Sequence, residues 1–152
     1  MHLKSRVFIK CTSQEAWEFL GNPANVSKWD RGVAGIEETS SNAHGVGLEF
    51  DTIAHTKFDL PDRGRMSYRI KEVDSASARC VVELISTTGN ARFFKSASWH
   101  FQVQPTVGGI WLTCAAVFEV HRRYFFLPLL LYLKKNAISM DLNFLKQAIE
   151  SR

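Results

Sequence analysis

The clearest hydrophobic pattern of the chain lies at its C-terminal end, in residues 124–152. An apolar run over residues 124–133 is followed by apolar positions spaced 7, 4, 3 and 4 apart: Leu131, Ile138, Leu142, Leu145 and Ile149. This spacing puts them on one side of an α-helix. Pro128 suits a first helical turn, and neither Gly nor Pro follows it, so the pattern predicts one helix of about six turns. We expect that helix to lay its stripe on a sheet and to leave a ligand space beneath it.

Near the N-terminus the pattern predicts one strand followed by two short helices. Residues 7–10 alternate like a strand, and Thr12 with Glu15 forms the capping box that starts an α-helix. Gly21 ends that helix. Asn22-Pro23 then supplies a cap and a first-turn proline for a second short helix, which reaches about residue 28.

Between residues 32 and 121 the pattern changes to short apolar segments separated by turn residues. There are six such segments, at about 32–39, 46–58, 65–73, 78–87, 91–104 and 110–121. Their short connections favour antiparallel hairpins. Together with the first strand they predict an α+β protein with a seven-stranded antiparallel sheet. Since no repeat or linker interrupts the chain, we expect a single ligand-binding domain over residues 1–152.

Alternation along the strands predicts which side chains face inward. In segment 65–73, Met66, Tyr68 and Ile70 share one face, and Arg65 and Arg69 share the other. The residues expected to line a ligand cavity are Phe50, Thr52, Met66, Tyr68, Val82, Leu84, Phe93, Lys95, Trp99, Leu112 and Cys114 on strands, and Leu131, Tyr132, Ile138 and Leu142 on the helix.

A bulge inverts the alternation beyond it, so the orientation of one polar group stays open. Glu49, Asp51 and His55 either line the cavity as an acid/base set or belong to a salt-bridged outer face with Arg65 and Arg69.

Composition and charge exclude several classes of protein. The net charge of +4 comes from scattered basic residues, so we expect no nucleic-acid partner. Cys11, Cys80 and Cys114 show no metal-ligand spacing and predict small core residues in a reducing compartment. We expect no metal and no cofactor. The N-terminus has no apolar signal region and the apolar run is too short to span a bilayer, which predicts a cytoplasmic protein.

Basic residues flank the apolar run at both ends. Arg122-Arg123 precedes it and Lys134-Lys135 follows it. This arrangement is compatible with a transient membrane-surface contact. We favour the alternative, in which the apolar residues cover the cavity or form a homodimer contact, so both a monomer and a homodimer stay open.

The order of strand, two short helices, six strands and long helix resembles the START-like superfamily, also called Bet v 1-like or SRPBCC, and within it the polyketide cyclase/dehydrase group. The likeness is carried by residues 9–20, Asn22-Pro23, Trp29-Asp30, Gly45-Val46-Gly47, residues 68–74, and residues 101–105 with Gly108-Gly109. One departure is that Gly109 is followed by Ile110, where the family usually has threonine.

The resemblance implies a helix-grip fold, with the antiparallel sheet wrapped around the long C-terminal helix and the two short helices between strands one and two. Members of the family include aromatase/cyclases and carriers of lipids or sterols. We therefore expect a hydrophobic small-molecule ligand and a cyclase, lyase or isomerase reaction on it. The alternatives are a non-catalytic carrier of a lipid or other hydrophobic ligand, and a protein-interaction module that uses the sheet face.

Two side chains are the catalytic candidates. Tyr68 could donate a hydrogen bond to a carbonyl, and a desolvated Lys95 could act as a base. The competing interpretations are a core tyrosine for Tyr68 and a strand-end residue that reaches solvent for Lys95.

Overall fold

A seven-stranded antiparallel sheet forms the body of the molecule. The computed structural model describes residues 1–40, 45–55 and 64–152. The strands are β1 (His2–Ile9), β2 (Val33–Glu38), β3 (Glu49–Ala54), β4 (Met66–Asp74), β5 (Arg79–Leu84), β6 (Phe94–Thr106) and β7 (Gly109–Val120). Their order is β1-β7-β6-β5-β4-β3-β2. The predicted fold class is confirmed, although residues 56–58 of the predicted third-strand segment lie outside the described residues.

Two short helices follow β1, as the capping pattern predicted. In α1 (Ser13–Leu20), the Thr12 hydroxyl accepts from the Glu15 N–H at 3.2 Å, and the Glu15 carboxylate accepts from the Thr12 N–H at 2.7 Å. The second helix, Pro23–Lys28, is a 3₁₀ helix, and the side chain of Asn22 caps it. Both signals act within one helical turn, which is why they can be read from the sequence.

The C-terminal helix packs on the sheet, but it is not continuous. It is divided into α2 (Leu127–Leu133) and α3 (Asn136–Glu150) by a turn at Lys134 and Lys135. The Lys134 N–H is shared among the carbonyls of residues 130, 131 and 132, which is a tightened final turn. The prediction of one continuous helix was wrong here. No Gly or Pro follows Pro128, so nothing in the sequence signals the break. Tertiary packing holds α3 against the sheet, whereas α2 buries none of its side chains completely.

The main core lies between α3 and the strands β1 and β7. Leu142, Leu145 and Ile149 of α3 are buried in one cluster with Ile9 and Leu112. A second, smaller cluster on β3 and β4 contains Leu48, Phe50 and Ile70. Val82 on β5 packs against both clusters, so the region between them is the natural place for a cavity.

Among the residues that the structure describes, three irregularities in strand pairing change the face of the sheet on which side chains lie. They lie between Val33 and Gly35, between Ile70 and Glu72, and between Phe94 and Ser96. The second brings Val73 to the same side of the sheet as Ile70, because an extra residue inverts the alternation. In the part of the chain that the structure describes, no helix is long and apolar enough to cross a membrane.

Candidate functional site

A cavity of about 510 Å³ opens between the inner face of the sheet and the two N-terminal helices. Six aromatic side chains form much of its wall: Trp17, Trp29, Phe50, Tyr68, Trp99 and Phe101. Aliphatic residues complete the wall, among them Leu20 and Val26 on the helices and Ile70 and Val82 on the strands. A cavity of this volume with mostly apolar walls is typical of small-molecule sites.

Edge and stacking contacts hold the aromatic wall in place. The rings of Phe50 and Tyr68 stack across β3 and β4, with centroids 5.7 Å apart and an interplanar angle of 22°. Tyr68 meets Trp99 edge to face at 5.3 Å, and Trp29 meets Phe101 at 6.2 Å. Aromatic pairs of this geometry add stabilisation beyond their buried area, so the wall is preorganised for a flat or ring-containing ligand.

Tyr68 is one of the polar residues of the cavity wall. Burial raises the pKa of its phenol, the charge of Asp30 raises it further, and the Thr52 side chain opposes the rise. The hydroxyl contacts the Met66 sulfur at 3.8 Å, which is a weak acceptor. At neutral pH, Tyr68 is therefore a protonated hydrogen-bond donor, suited to a ligand carbonyl or hydroxyl.

Asp30 supplies a carboxyl group to the same cavity. Burial raises its pKa above the ordinary value, while the Gly32 N–H and Arg31 lower it. The Gly32 N–H donates to Asp30 Oδ1 at 2.8 Å and fixes the orientation of the carboxyl group. In the sequence Asp30 stands out only as part of the Trp29-Asp30 motif, because nothing local to it indicates that its side chain turns into a cavity.

The mouth of the cavity lies at the β4–β5 turn. Val73, Asp74, Ser75 and Arg79 border it, and Val73 and Ser75 are exposed. Asp74 accepts hydrogen bonds from the backbone N–H groups of residues 76 and 77 and from the Ser77 hydroxyl, so the turn is well ordered by its own contacts. Polar groups at the rim and apolar walls inside favour a ligand whose hydrophobic part enters first.

The structure brings together only some of the predicted site residues. Phe50, Thr52, Tyr68, Val82 and Trp99 line the cavity. The other predicted ligand-binding residues do not: Met66, Leu84, Phe93, Leu112, Cys114, Leu131, Tyr132, Ile138 and Leu142. Leu112, Cys114 and Leu142 are in the main core instead, since they are buried in one cluster with Leu145 and Ile149 of α3 and with Ile9 of β1.

Lys95 lies outside the cavity, contrary to the expected inward orientation. It is the extra residue of the irregularity between Phe94 and Ser96, and its side chain is 61% exposed. Its Nζ atom binds Glu119 Oε1 at 2.7 Å. The structure therefore does not place Lys95 beside Tyr68, and the bulge is the physical reason.

The open question about Glu49 and Asp51 is answered by ion pairs on the opposite face of the sheet. Arg69 binds Glu49 at 2.6 Å, and Arg65 binds both Asp51 at 2.8 Å and Glu37 at 2.6 Å. His55 is exposed. None of these side chains lines the cavity, and no group of three His, Cys, Asp or Glu residues suited to a metal ion occurs within residues 1–40, 45–55 and 64–152.

Solved structures share this architecture at low sequence identity. The chain superposes on Ara h 8.0201 with a TM-score of 0.73, 11% identity and coverage of 100% of this chain and 99% of that one. TTHA0849 from Thermus thermophilus gives a TM-score of 0.72 and 11% identity over 99% of this chain and 98% of that one. Norcoclaurine synthase from Thalictrum flavum, solved in complex with dopamine and hydroxybenzaldehyde, gives a TM-score of 0.72 and 12% identity, over 100% of this chain and 87% of the synthase.

These likenesses establish a shared fold. No protein-family model matches the sequence, and no curated protein is a significant match to it.

Proposed function

We propose that this protein binds a hydrophobic, ring-containing small molecule in the cavity beneath α1 and the 3₁₀ helix. The observation that carries the proposal is the aromatic wall around a space of about 510 Å³, with few polar groups to orient a ligand. Flat ring systems bury large areas against such walls. The aromatic compounds in the complex of norcoclaurine synthase are of this chemical class, and that protein has the same fold.

The test is direct because three of the four tryptophans, Trp17, Trp29 and Trp99, line the cavity. Protein freshly purified under native conditions is expected to carry or accept a ligand, detected as an added mass in native mass spectrometry. Titration with a panel of aromatic, sterol and fatty-acid probes is expected to change tryptophan fluorescence saturably for ring-containing members. A panel without any saturable change, together with no co-purified mass, would refute ligand binding.

A second candidate function, a cyclase-like activity, is favoured by Tyr68 and Asp30 in one cavity. In an aldol-type ring closure, the Asp30 carboxylate would take a proton from the carbon beside a ligand carbonyl. The Tyr68 hydroxyl would donate to the oxygen of the resulting enolate. The carbon would then add to a second carbonyl of the same molecule, and the Asp30 proton would pass to the new alkoxide. This agrees with the activity that the resemblance to the polyketide cyclase/dehydrase group implies.

Incubation with cyclisable poly-β-ketone analogues separates the two functions. Catalysis predicts product above background that falls in the Asp30→Asn and Tyr68→Phe variants while ligand binding persists. Clear binding with only background product would assign the cavity to a carrier, the non-catalytic alternative. Lys95 has no step in this scheme, since its side chain is on the surface.

A further inference from the structure

The outer side of α2 and the two residues before it present apolar side chains to solvent. We call Phe125, Phe126, Leu129, Leu130, Tyr132 and Leu133 the α2 surface. Phe125 is 82% exposed, Leu133 is 71% exposed and Leu129 is 64% exposed. Leu127 and Leu131 turn toward the protein and are half-buried. Contiguous apolar surface of this kind usually marks an interaction site.

The ligand cavity does not account for this surface. No residue of α2 lines the cavity, whose helical wall comes from α1 and the 3₁₀ helix. The core does not account for it either, because α3 supplies Leu142, Leu145 and Ile149 to the core whereas α2 has no fully buried residue. The apolar side chains of the α2 surface therefore have another partner.

The charged residues that flank the α2 surface within residues 120–140 are all basic. Arg122 and Arg123 precede it, Lys134 and Lys135 follow it, and no acidic residue occurs between residues 120 and 140. All four basic side chains are exposed, and none of them forms an ion pair with a residue that the structure describes. Their charge is therefore available to an external anionic partner.

We propose that the α2 surface docks on an anionic lipid bilayer, with the leucine and phenylalanine side chains in the acyl boundary and the four basic residues at the lipid headgroups. An apolar helical face flanked by Arg and Lys matches the two attractions that hold proteins at such interfaces. Cation–π contacts already pair Arg123 with Tyr124 and Lys135 with Tyr132, so each of these two basic groups lies over an aromatic ring beside the apolar side chains.

A second copy of the chain fits this surface less well. In a two-fold symmetric dimer, both subunits would contribute the α2 surface to the contact. It would bring Arg and Lys residues of both copies together with no acidic residue from the stretch 120–140 between them, and such like-charge juxtaposition is unfavourable. An anionic membrane satisfies both the apolar and the basic parts.

The test is flotation of the purified protein with two kinds of vesicle. One is pure phosphatidylcholine and the other contains about 30% phosphatidylserine, the lipid class that attracts basic segments. The protein is expected to float with the anionic vesicles and to dissociate as salt is raised. Arg122→Glu with Arg123→Glu is expected to lower the partition coefficient at least about tenfold, and Leu129→Ser with Leu133→Ser to do the same by removing apolar contact.

The matched control is Lys4→Glu with Lys10→Glu, which changes the net charge equally at exposed positions of β1 and its end. The control is expected to float like the unaltered protein. An equal loss in the control would overturn the proposal, since net charge rather than the α2 surface would then drive binding. Absence of vesicle binding, together with a dimer in sedimentation velocity that Leu129→Ser with Leu133→Ser dissolves, would assign the surface to a second copy.

This inference goes beyond ligand binding and does not depend on it. A Val82→Phe variant, which narrows the cavity, is expected to float normally even if its ligand affinity is lost. The two proposals can therefore fail separately.

Discussion

Asp141 on α3 and Asp30 on the cavity wall are close enough for their charges to interact. Burial is the larger cause that raises the pKa of Asp141 to about 6, the charge of Asp30 adds to the rise, and Arg31 opposes both. Arg31 approaches Asp141 only at 3.9 Å, from Nε to Oδ1. The ionisation of a carboxyl group on α3 is thus affected by the charge of a carboxyl group on the cavity wall.

This relationship predicts how stability depends on pH. A carboxyl group whose pKa is higher in the folded state than its ordinary value of 3.8 favours folding while protonated, so its contribution is lost as pH rises through about 6. Asp141→Asn is expected to raise the free energy of unfolding above that pH by about 1 kcal/mol, since partial exposure reduces the full effect. Urea denaturation on both sides of the interval from 3.8 to about 6 measures the difference. An equal increase in the free energy of unfolding at pH values below 3.8 would contradict the raised pKa of Asp141.

Asp74 is the matched control for that measurement. Hydrogen bonds from Ser77 and the backbone of Ala76 lower its pKa, so its contribution is present above its unfolded pKa and is lost as pH falls through the folded value. Asp74→Asn is therefore expected to destabilise the protein at neutral pH, the opposite sign to Asp141→Asn.

Filling the cavity is expected to weaken ligand binding. Val82 lies on the cavity wall between Ile70 and Trp99 in the strand pairing, and Val82→Phe would put a ring into the ligand space. We expect at least about tenfold weaker binding of a ring-containing probe, by loss of apolar contact. Val117→Phe makes the same change at an exposed position and is expected to leave affinity unchanged. Tryptophan fluorescence titration compares the two variants.

Tyr68 and Lys95 are expected to differ in their effect on ligand affinity. Tyr68→Phe removes one hydrogen-bond donor. It should lower the affinity for a carbonyl-bearing probe about fivefold, which corresponds to roughly 1 kcal/mol. A hydrocarbon probe of the same shape should bind as before. Lys95→Ala removes an exposed ion pair with Glu119 and should leave both affinities unchanged. A marked loss in the Lys95 variant would show that its surface position is wrong.

The two C-terminal helices are expected to respond differently to truncation. Leu145 on α3 is completely buried, and Leu145→Ala should cost about 2–5 kcal/mol of unfolding free energy. Leu133 on α2 is 71% exposed, and Leu133→Ala should change the free energy of unfolding by less than about 0.5 kcal/mol. Urea denaturation midpoints give both free-energy changes when the slope of the free energy against urea concentration is the same in all variants. Similar losses in the two variants would mean that α2 packs on the protein more closely than its exposure indicates.

Local interactions are what the sequence determined by itself. The capping box of Thr12 and Glu15 involves atoms three residues apart, so its helix could be predicted without tertiary contacts. Alternation in β4 correctly put Tyr68 and Ile70 opposite Arg65 and Arg69, because the pleat sends successive side chains to opposite faces. The seven-stranded sheet followed from short connections between such segments.

Tertiary structure alone decided where the cavity lies. The apolar stripe of α3 could have covered a ligand or a core, and the burial of Leu142 and Leu145 in one cluster with the inner side chains of the sheet made it a core. The cavity lies instead beneath α1 and the 3₁₀ helix, where the carboxyl group of Asp30 turns inward. One extra residue in β6 put Lys95 on the surface, and the turn at Lys134 left α2 exposed. Each of these outcomes depends on contacts between residues far apart in the chain, which no local pattern records.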